Sequence, residues 1–152
     1  MIRRAGPQDV DGIAAVFTRS FATLDFLPTL HTPEQHHAFL GGRVLAEQEV
    51  WVAERDGRIL GFIALDGDLG TLFCVDPDEH GCGIGSALFA EVQRERPNGF
   101  RFWVFQQNAR ARRFYEARGC TVLELTDGSG NEERTPDALY QWLPAGQGSS
   151  AR

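Results

Sequence analysis

At 152 residues, 42% hydrophobic and 24% charged, the chain has the size and balance of one water-soluble domain around a single core. Its net charge of −6 argues against general binding to nucleic acid or to an anionic membrane surface, and suits a cationic partner better. All 15 basic residues are arginine, which excludes Schiff-base chemistry on a lysine and a lysine-dependent P-loop.

Cys74, Cys82 and Cys120 are odd in number and widely spaced, without a C-x-x-C pair, so neither a disulfide framework nor a zinc ribbon is expected. No stretch is long and apolar enough to span a bilayer. The arginines of "MIRRAGPQDV" are followed by no apolar run, so no secretory signal is read there and a cytoplasmic location is expected.

In chain order, "IRRA" predicts a short strand. Pro7 and Asp9 then open a helix in which Val10, Ile13, Ala14, Phe17 and Phe21 recur at helical spacing. A loop leads to a second helix, capped by Thr32 with Pro33 at its first position. "EVWVAE" and "RILGFIAL" flank Asp56-Gly57, the strongest short hairpin signal. Asp66-Gly67-Asp68 makes the next turn and "TLFCV" the next strand. After a glycine-rich loop, "SALFAEVQRE" is helical and stops at Pro97-Asn98-Gly99. "FRFWVF" is apolar at nearly every position and reads as a strand buried on both faces. Asn108 opens a helix that runs through Arg118, and Gly119 stands where a left-handed terminating residue belongs. "CTVLEL" and "ALYQWL" are the last strands, separated by the polar loop "TDGSGNEERTPD". This predicts one α/β domain over 1–144, with a mixed, mostly antiparallel sheet of about seven strands flanked by about four helices. The segment 145–152 is expected to be a disordered tail.

Gly81, Gly83 and Gly85 immediately precede a helix, a place where backbone N–H groups and the helix dipole favour phosphate. A dinucleotide fingerprint fails, because the sixth position counted from Gly81 is Ser86. What remains is a pyrophosphate held by a loop entering a helix, or a plain turn with a helix cap.

Val75-Asp76-Pro77 followed by "HGCGIGSAL" resembles the acetyl-CoA loop of the GCN5-related N-acetyltransferases, with Gly83 and Gly85 matching and His80 in the Gln/Arg place. Downstream, "NARARRFYEARGC" resembles that family's second motif through Asn108, Ala111, Phe114, Tyr115 and Gly119. The order of elements also agrees over residues 1–143, nearly the whole chain.

The resemblance implies acyl transfer from acetyl-CoA to an amine. It implies that the strand before the loop is splayed from its neighbour by a bulge, and that pantetheine enters there beside Phe73, Cys74 and Val75. Backbone groups of Phe73 and Val75 would take its amide. His80, Gly81, Cys82, Gly83, Ile84, Gly85 and Ser86 would hold the phosphates, and Asn108 would cap its helix and hold CoA or the neighbouring strand. Tyr115, a phenol protonated at neutral pH, would protonate the departing thiolate; the bland alternative is an aromatic pair facing the core. Cys82 stands where many relatives carry Arg or Lys, and Thr71 where many carry a glutamate base. In its stead, Asp66 or Asp68 acting through water, or one of His31, His36 and His37, is considered. His31 lies in the loop expected to wall the acceptor, and Asp137 among the acids expected at its mouth. "HTPEQHH" lacks a metal-binding spacing, and no metal is expected. The acceptor expected is a small cationic amine or, alternatively, a protein amine; dimers are frequent in the family. A rival reading is an acyl-CoA-binding domain that has lost catalysis.

Overall fold

The computed structural model describes residues 1–145, so the expected tail lies outside the described residues apart from Ala145. Strand β1 (Ile2–Arg4) passes through a 3-10 turn (Pro7–Asp9) into helix α1 (Val10–Ala22). That entry is tied down electrostatically: Arg3 donates to both Asp9 carboxylate oxygens at 2.9 Å, and the Gly6 N–H reaches Asp9 Oδ2 at 2.8 Å. The Arg3 guanidinium holds the Asp9 carboxyl below the usual carboxylate range, against burial, which pushes it up. A carboxyl depressed on folding stabilises the native state above its unfolded pKa, about 3.9, and that contribution disappears as pH falls through the folded value. Urea unfolding is therefore expected to show stability falling below about pH 4. Asp9→Asn should lower stability at neutral pH and remove that part of the acid slope.

Helix α2 (Pro33–Phe39) continues through a π-helical turn (Leu40–Val44) into α3 (Leu45–Glu47), one helical segment where the sequence predicted one helix. Its start is a reciprocal box: Thr32 Oγ1 accepts from the Gln35 N–H at 3.2 Å while the Thr32 N–H donates to Gln35 Oε1 at 2.8 Å. Strands β2 (Glu49–Arg55) and β3 (Arg58–Asp66) form the hairpin that Asp-Gly announced; Asp56 and Gly57 have φ of 54° and 78°, the left-handed pair of a type I′ turn. β4 (Leu69–Val75), α4 (Ile84–Glu95), β5 (Phe100–Phe105), α5 (Ala109–Ala117), β6 (Thr121–Leu125) and β7 (Asp137–Trp142) follow.

The seven strands lie in the order β1-β2-β3-β4-β5-β7-β6, antiparallel except for β4 beside β5. The core has two halves, one on each face of the sheet. Ile13, Phe17, Leu40, Val50, Val52 and Phe62 pack under α1 and α2, while Trp51, Ile63, Leu88, Phe89, Phe102 and Tyr140 pack under α4 and α5. β2 and β3 are thus apolar at successive positions because both their faces are covered. β5 corrects the sequence reading: Phe100, Phe102 and Val104 are buried, but Arg101 is exposed and Trp103 is 41% exposed. α1 covers the neighbouring β3 and β4, and this face of β5 opens instead to the cleft described next. Among the described residues no helix is long and apolar enough to cross a membrane.

Candidate active site

β4 and β5 touch only at Leu69–Arg101 and Gly70–Phe102, and then part. The cause is a bulge: the β3–β4 register slips between Ala64 and Leu65, leaving Thr71 as the extra residue on β4. A cleft of about 740 Å3 opens there, walled by β4, residues 79–86, β5, α5 and the C-terminal end of α1.

Strand alternation decides what β4 offers to this cleft. The Asp76 N–H donates to Leu60 O at 2.8 Å and Cys74 is paired with Phe62, so main-chain groups of the even-numbered residues belong to β3. Those of Phe73 and Val75 point the other way, along an edge that β5 leaves uncovered. Cys74 gives its main chain to β3 and its side chain to the α1 half of the core. Burial pushes its thiol up to about 12, with Ser20 opposing, so it is no thiolate at neutral pH.

Beyond Val75 the chain is braced before it reaches the glycines. Asp76 accepts from Arg19 and Arg58 at 3.0 Å each and from the Asp78 N–H at 3.0 Å, while Glu79 pairs with Arg55 at 3.0 Å. Burial pushes the Asp76 carboxyl up, but these donors outweigh it and hold it below the usual range. Gly81 and Gly83 have φ of 82° and 85°, backbone that L side chains rarely adopt, and Gly83 is the N-cap of α4. The first helical bond is Ala87 N–H to Gly83 O at 3.0 Å, so the N–H groups of Ile84, Gly85 and Ser86 precede it. Gly85 serves packing: a Cβ there would meet the Phe114 ring at 3.3 Å. His80 is half-buried, and burial, then Arg110, lower its pKa, leaving a neutral imidazole at pH 7. Cys82 is exposed.

Arginines the sequence left unassigned stand on the facing helix. Arg118 lies 3.5 Å over the Phe114 ring, donates to Phe114 O at 3.0 Å and reaches the Ser86 hydroxyl in the first turn of α4. Arg110 and Arg113 also line the cleft. The signal was present: 110, 114 and 118 are four apart, one stripe along a helix. Asn108 caps α5, its Oδ1 accepting from the Ala111 N–H at 3.2 Å. Tyr115 is 6% exposed and lines the cleft, with its ring 4.1 Å from that of Phe102 and 6.2 Å from that of Phe73. Burial raises its pKa above the ordinary phenol value, so it stays protonated. Among the described residues its hydroxyl has no hydrogen-bond partner, yet it is not sealed from solvent.

At the other end, Thr71 lines the cleft and its hydroxyl donates to Gln48 Oε1 at 2.6 Å, a partner nothing in the sequence marked. Trp103 and Phe105 of β5 join the wall. His31 stands outside the lining; it bonds Glu132, tying the α1–α2 loop to the β6–β7 loop. His36 is packed edge-on against Phe17 and bonded to Thr18 at 3.0 Å, its pKa lowered by burial and then by His31. His37 pairs with Asp11 at 2.7 Å. Asp66 is exposed at the β3–β4 turn, away from the lining. Asp137 is occupied within its own loop, accepting from the Thr126 hydroxyl and, at 3.1 Å, the Asn131 amide.

An uncovered strand edge thus runs directly into a glycine-turned helix start, and both open into one cleft. A family model described as acetyltransferase (GNAT) domain matches residues 46–120. The chain is 34% identical to the peptidyl-lysine N-acetyltransferase YjaB of Escherichia coli over 80% of this chain and 82% of that protein. It is 32% identical to the peptidyl-lysine N-acetyltransferase YiaC of the same organism, over 64% of this chain and 66% of YiaC. The solution structure of YjaB in its apo form superposes with a TM-score of 0.75 at 27% identity, covering 95% of this chain and 98% of that one. A PaiA N-acetyltransferase from Thermoplasma acidophilum, solved with coenzyme A, shares the fold with a TM-score of 0.77 at 20% identity, covering 94% and 98%. The chain belongs to the GCN5-related N-acetyltransferase family and is an N-acetyltransferase.

Proposed function

We propose that this enzyme transfers an acetyl group directly from acetyl-CoA to a primary amine, with no covalent intermediate on the protein. The observation that carries the reading is the uncovered β4 edge leading into the first turn of α4. The main-chain groups of Phe73 and Val75 pair with the pantetheine amides as an added strand would. The N–H groups of Gly81 and of Gly83 to Ser86, with roughly +0.5 charge at the helix start, hold the pyrophosphate, while the Cys82 N–H is taken by Glu79 O at 3.2 Å. Arg118, and Arg110 and Arg113 beside it, supply the cationic contacts that Cys82 does not. Acetyl-CoA brings an acyl thioester already activated toward amines. An N–H on the cleft edge of β4 polarises its carbonyl. As the new N–C bond forms and the C–S bond breaks, Tyr115 gives its proton to the sulfur, the amine's proton passes to solvent, and solvent returns a proton to the Tyr115 oxygen before the next turnover.

The acceptor must enter as the free amine, which costs about 4 kcal/mol at pH 7 for an amine of pKa near 10. Thr71 and Gln48 are the polar groups at that end, and neither is a base. The chain's acidity supports a small cationic amine. A second reading, a lysine side chain of a protein, is supported by what YjaB and YiaC are named for. We place the enzyme in the cytoplasm, where acetyl-CoA is made.

Thermal unfolding with acetyl-CoA, CoA or NADH tests the donor. A ligand at about 100 times its dissociation constant adds about 2.7 kcal/mol, several degrees for a domain of this size. Acetyl-CoA and CoA are expected to shift the transition and NADH not. Thiol release with small amines and with lysine peptides then ranks the acceptors. This chain contains no lysine, so any acetyllysine that appears belongs to the partner. CoA binding with no thiol release for any amine would overturn the proposal in favour of a non-catalytic binding domain.

A further inference from the structure

α5 has nine residues, too few for a helix to stand alone in water. Arg110, Arg113, Glu116 and Ala117 on it are exposed. Its position therefore depends on what ties it to the sheet, and that position decides where the Tyr115 phenol sits. Ring packing places Tyr115 sideways; with no hydrogen bond to its hydroxyl among the described residues, packing alone does not fix its depth.

The polar tie is made by Tyr140 of β7, whose ring is fully buried. Arg112 Nε donates to Tyr140 Oη at 2.8 Å, and the Tyr140 hydroxyl donates to Glu116 Oε2 at 2.9 Å. Arg112 also donates to Gln106 O at 3.4 Å, just beyond the end of β5. Arg112 and Glu116 are one helical turn apart and bracket Tyr115 in sequence, so a single phenol oxygen fixes both the height and the rotation of that turn. The same ring stacks on Phe102 with centroids 6.0 Å apart and planes at 5°, and its centroid lies 5.8 Å from that of Tyr115.

We propose that Tyr140, held between Arg112 and Glu116, is a positioning residue for acetyl transfer, setting the depth at which α5 presents Tyr115 to the cleft. The inference rests on Tyr115 being the proton donor. Removing the Tyr140 oxygen leaves its ring in the core, while exposed Glu116 and half-buried Arg112 turn to water. The fold therefore survives and the alignment does not.

The experiment is a double-mutant cycle on kcat with Tyr140→Phe, Tyr115→Phe and both, with thermal unfolding of each. Tyr115→Phe is expected to lower kcat about 100-fold, the size of a lost general acid. Tyr140→Phe should lower kcat about tenfold, with KM for acetyl-CoA within about twofold, as a misplaced donor would. In the Tyr115→Phe background it should cost nothing more, because it acts through a proton donor already gone. Arg112→Gln, at a half-exposed site, should repeat the kcat loss even if Tyr140→Phe folds poorly. Unchanged kcat in Tyr140→Phe and Arg112→Gln, or losses that multiply with Tyr115→Phe, would overturn the positioning role alone. Unchanged kcat in Tyr115→Phe would overturn the proton-donor reading and this inference with it.

Discussion

Gly83→Val is expected to weaken CoA binding about 100-fold while leaving the fold in place, because backbone strain of about 1–3 kcal/mol falls on the phosphate loop alone. Gly83 has φ of 85° and caps α4. A β-branched side chain is a poor occupant of that region. A Cβ at Gly83 meets nothing within 4 Å, so no packing is lost and the strain is relieved by turning the loop's N–H groups aside. At a CoA concentration that stabilises the parent by about 2.7 kcal/mol, a 100-fold weaker variant gains only about 0.4 kcal/mol. Thermal unfolding with and without CoA reads this directly. Gly42→Ala, where a Cβ also meets nothing and φ is ordinary, is the control expected to keep the full shift. A full shift in Gly83→Val would mean that the left-handed turn has no part in holding phosphate.

Phe102→Ala is expected to lose about 3–5 kcal/mol of stability, the usual cost of deleting a buried aromatic ring. Phe102 is 6% exposed and touches Phe89, Phe100, Tyr115 and Tyr140, with the Tyr115 ring centroid at 4.1 Å. For a domain of this size that is a fall in Tm of about 10 °C. The next residue is the test of the face assignment. Trp103 is the larger side chain but 41% exposed, and Trp103→Ala should cost about 1 kcal/mol or less. Equal losses at the two positions would mean that both faces of β5 are buried after all.

That contrast also marks how far the sequence could be read. The hairpin at Asp56-Gly57, the Thr32 cap with Pro33 behind it, and the helix from Asn108 to Gly119 were legible because each is decided within a few residues. The second face of β5 was not, since it depends on which strands α1 reaches. Composition showed apolar residues along "FRFWVF" but not that Trp103 faces a cleft. The glycine loop and Tyr115 were found through motifs whose spacing is local. Gln48 beside Thr71 and Glu132 beside His31 are contacts across long stretches of chain, invisible to any pattern. Asp66 was considered as a base acting through water and Asp137 for its charge at the acceptor mouth; the fold puts the first at an outlying turn and binds the second to Thr126 and Asn131. Which arginine meets the helix start was readable in principle, from the four-residue stripe through Phe114.

The short seam between β4 and β5 has a consequence for how the molecule comes apart. Two residue pairs join a ladder of four strands to a ladder of three. The core half under α4 and α5 crosses that line, with Trp51 and Ile63 of one ladder in the same cluster as Phe102 and Tyr140 of the other. Side chains more than backbone pairing therefore join the two, and amides at the seam are expected to exchange faster than those inside either ladder. A donor bound as proposed touches both ladders along the seam, so those amides are expected to exchange more slowly when CoA is added. Binding then adds its free energy to the global stability, while a substitution far from the cleft that loosens one ladder leaves affinity unchanged as long as the folded state dominates.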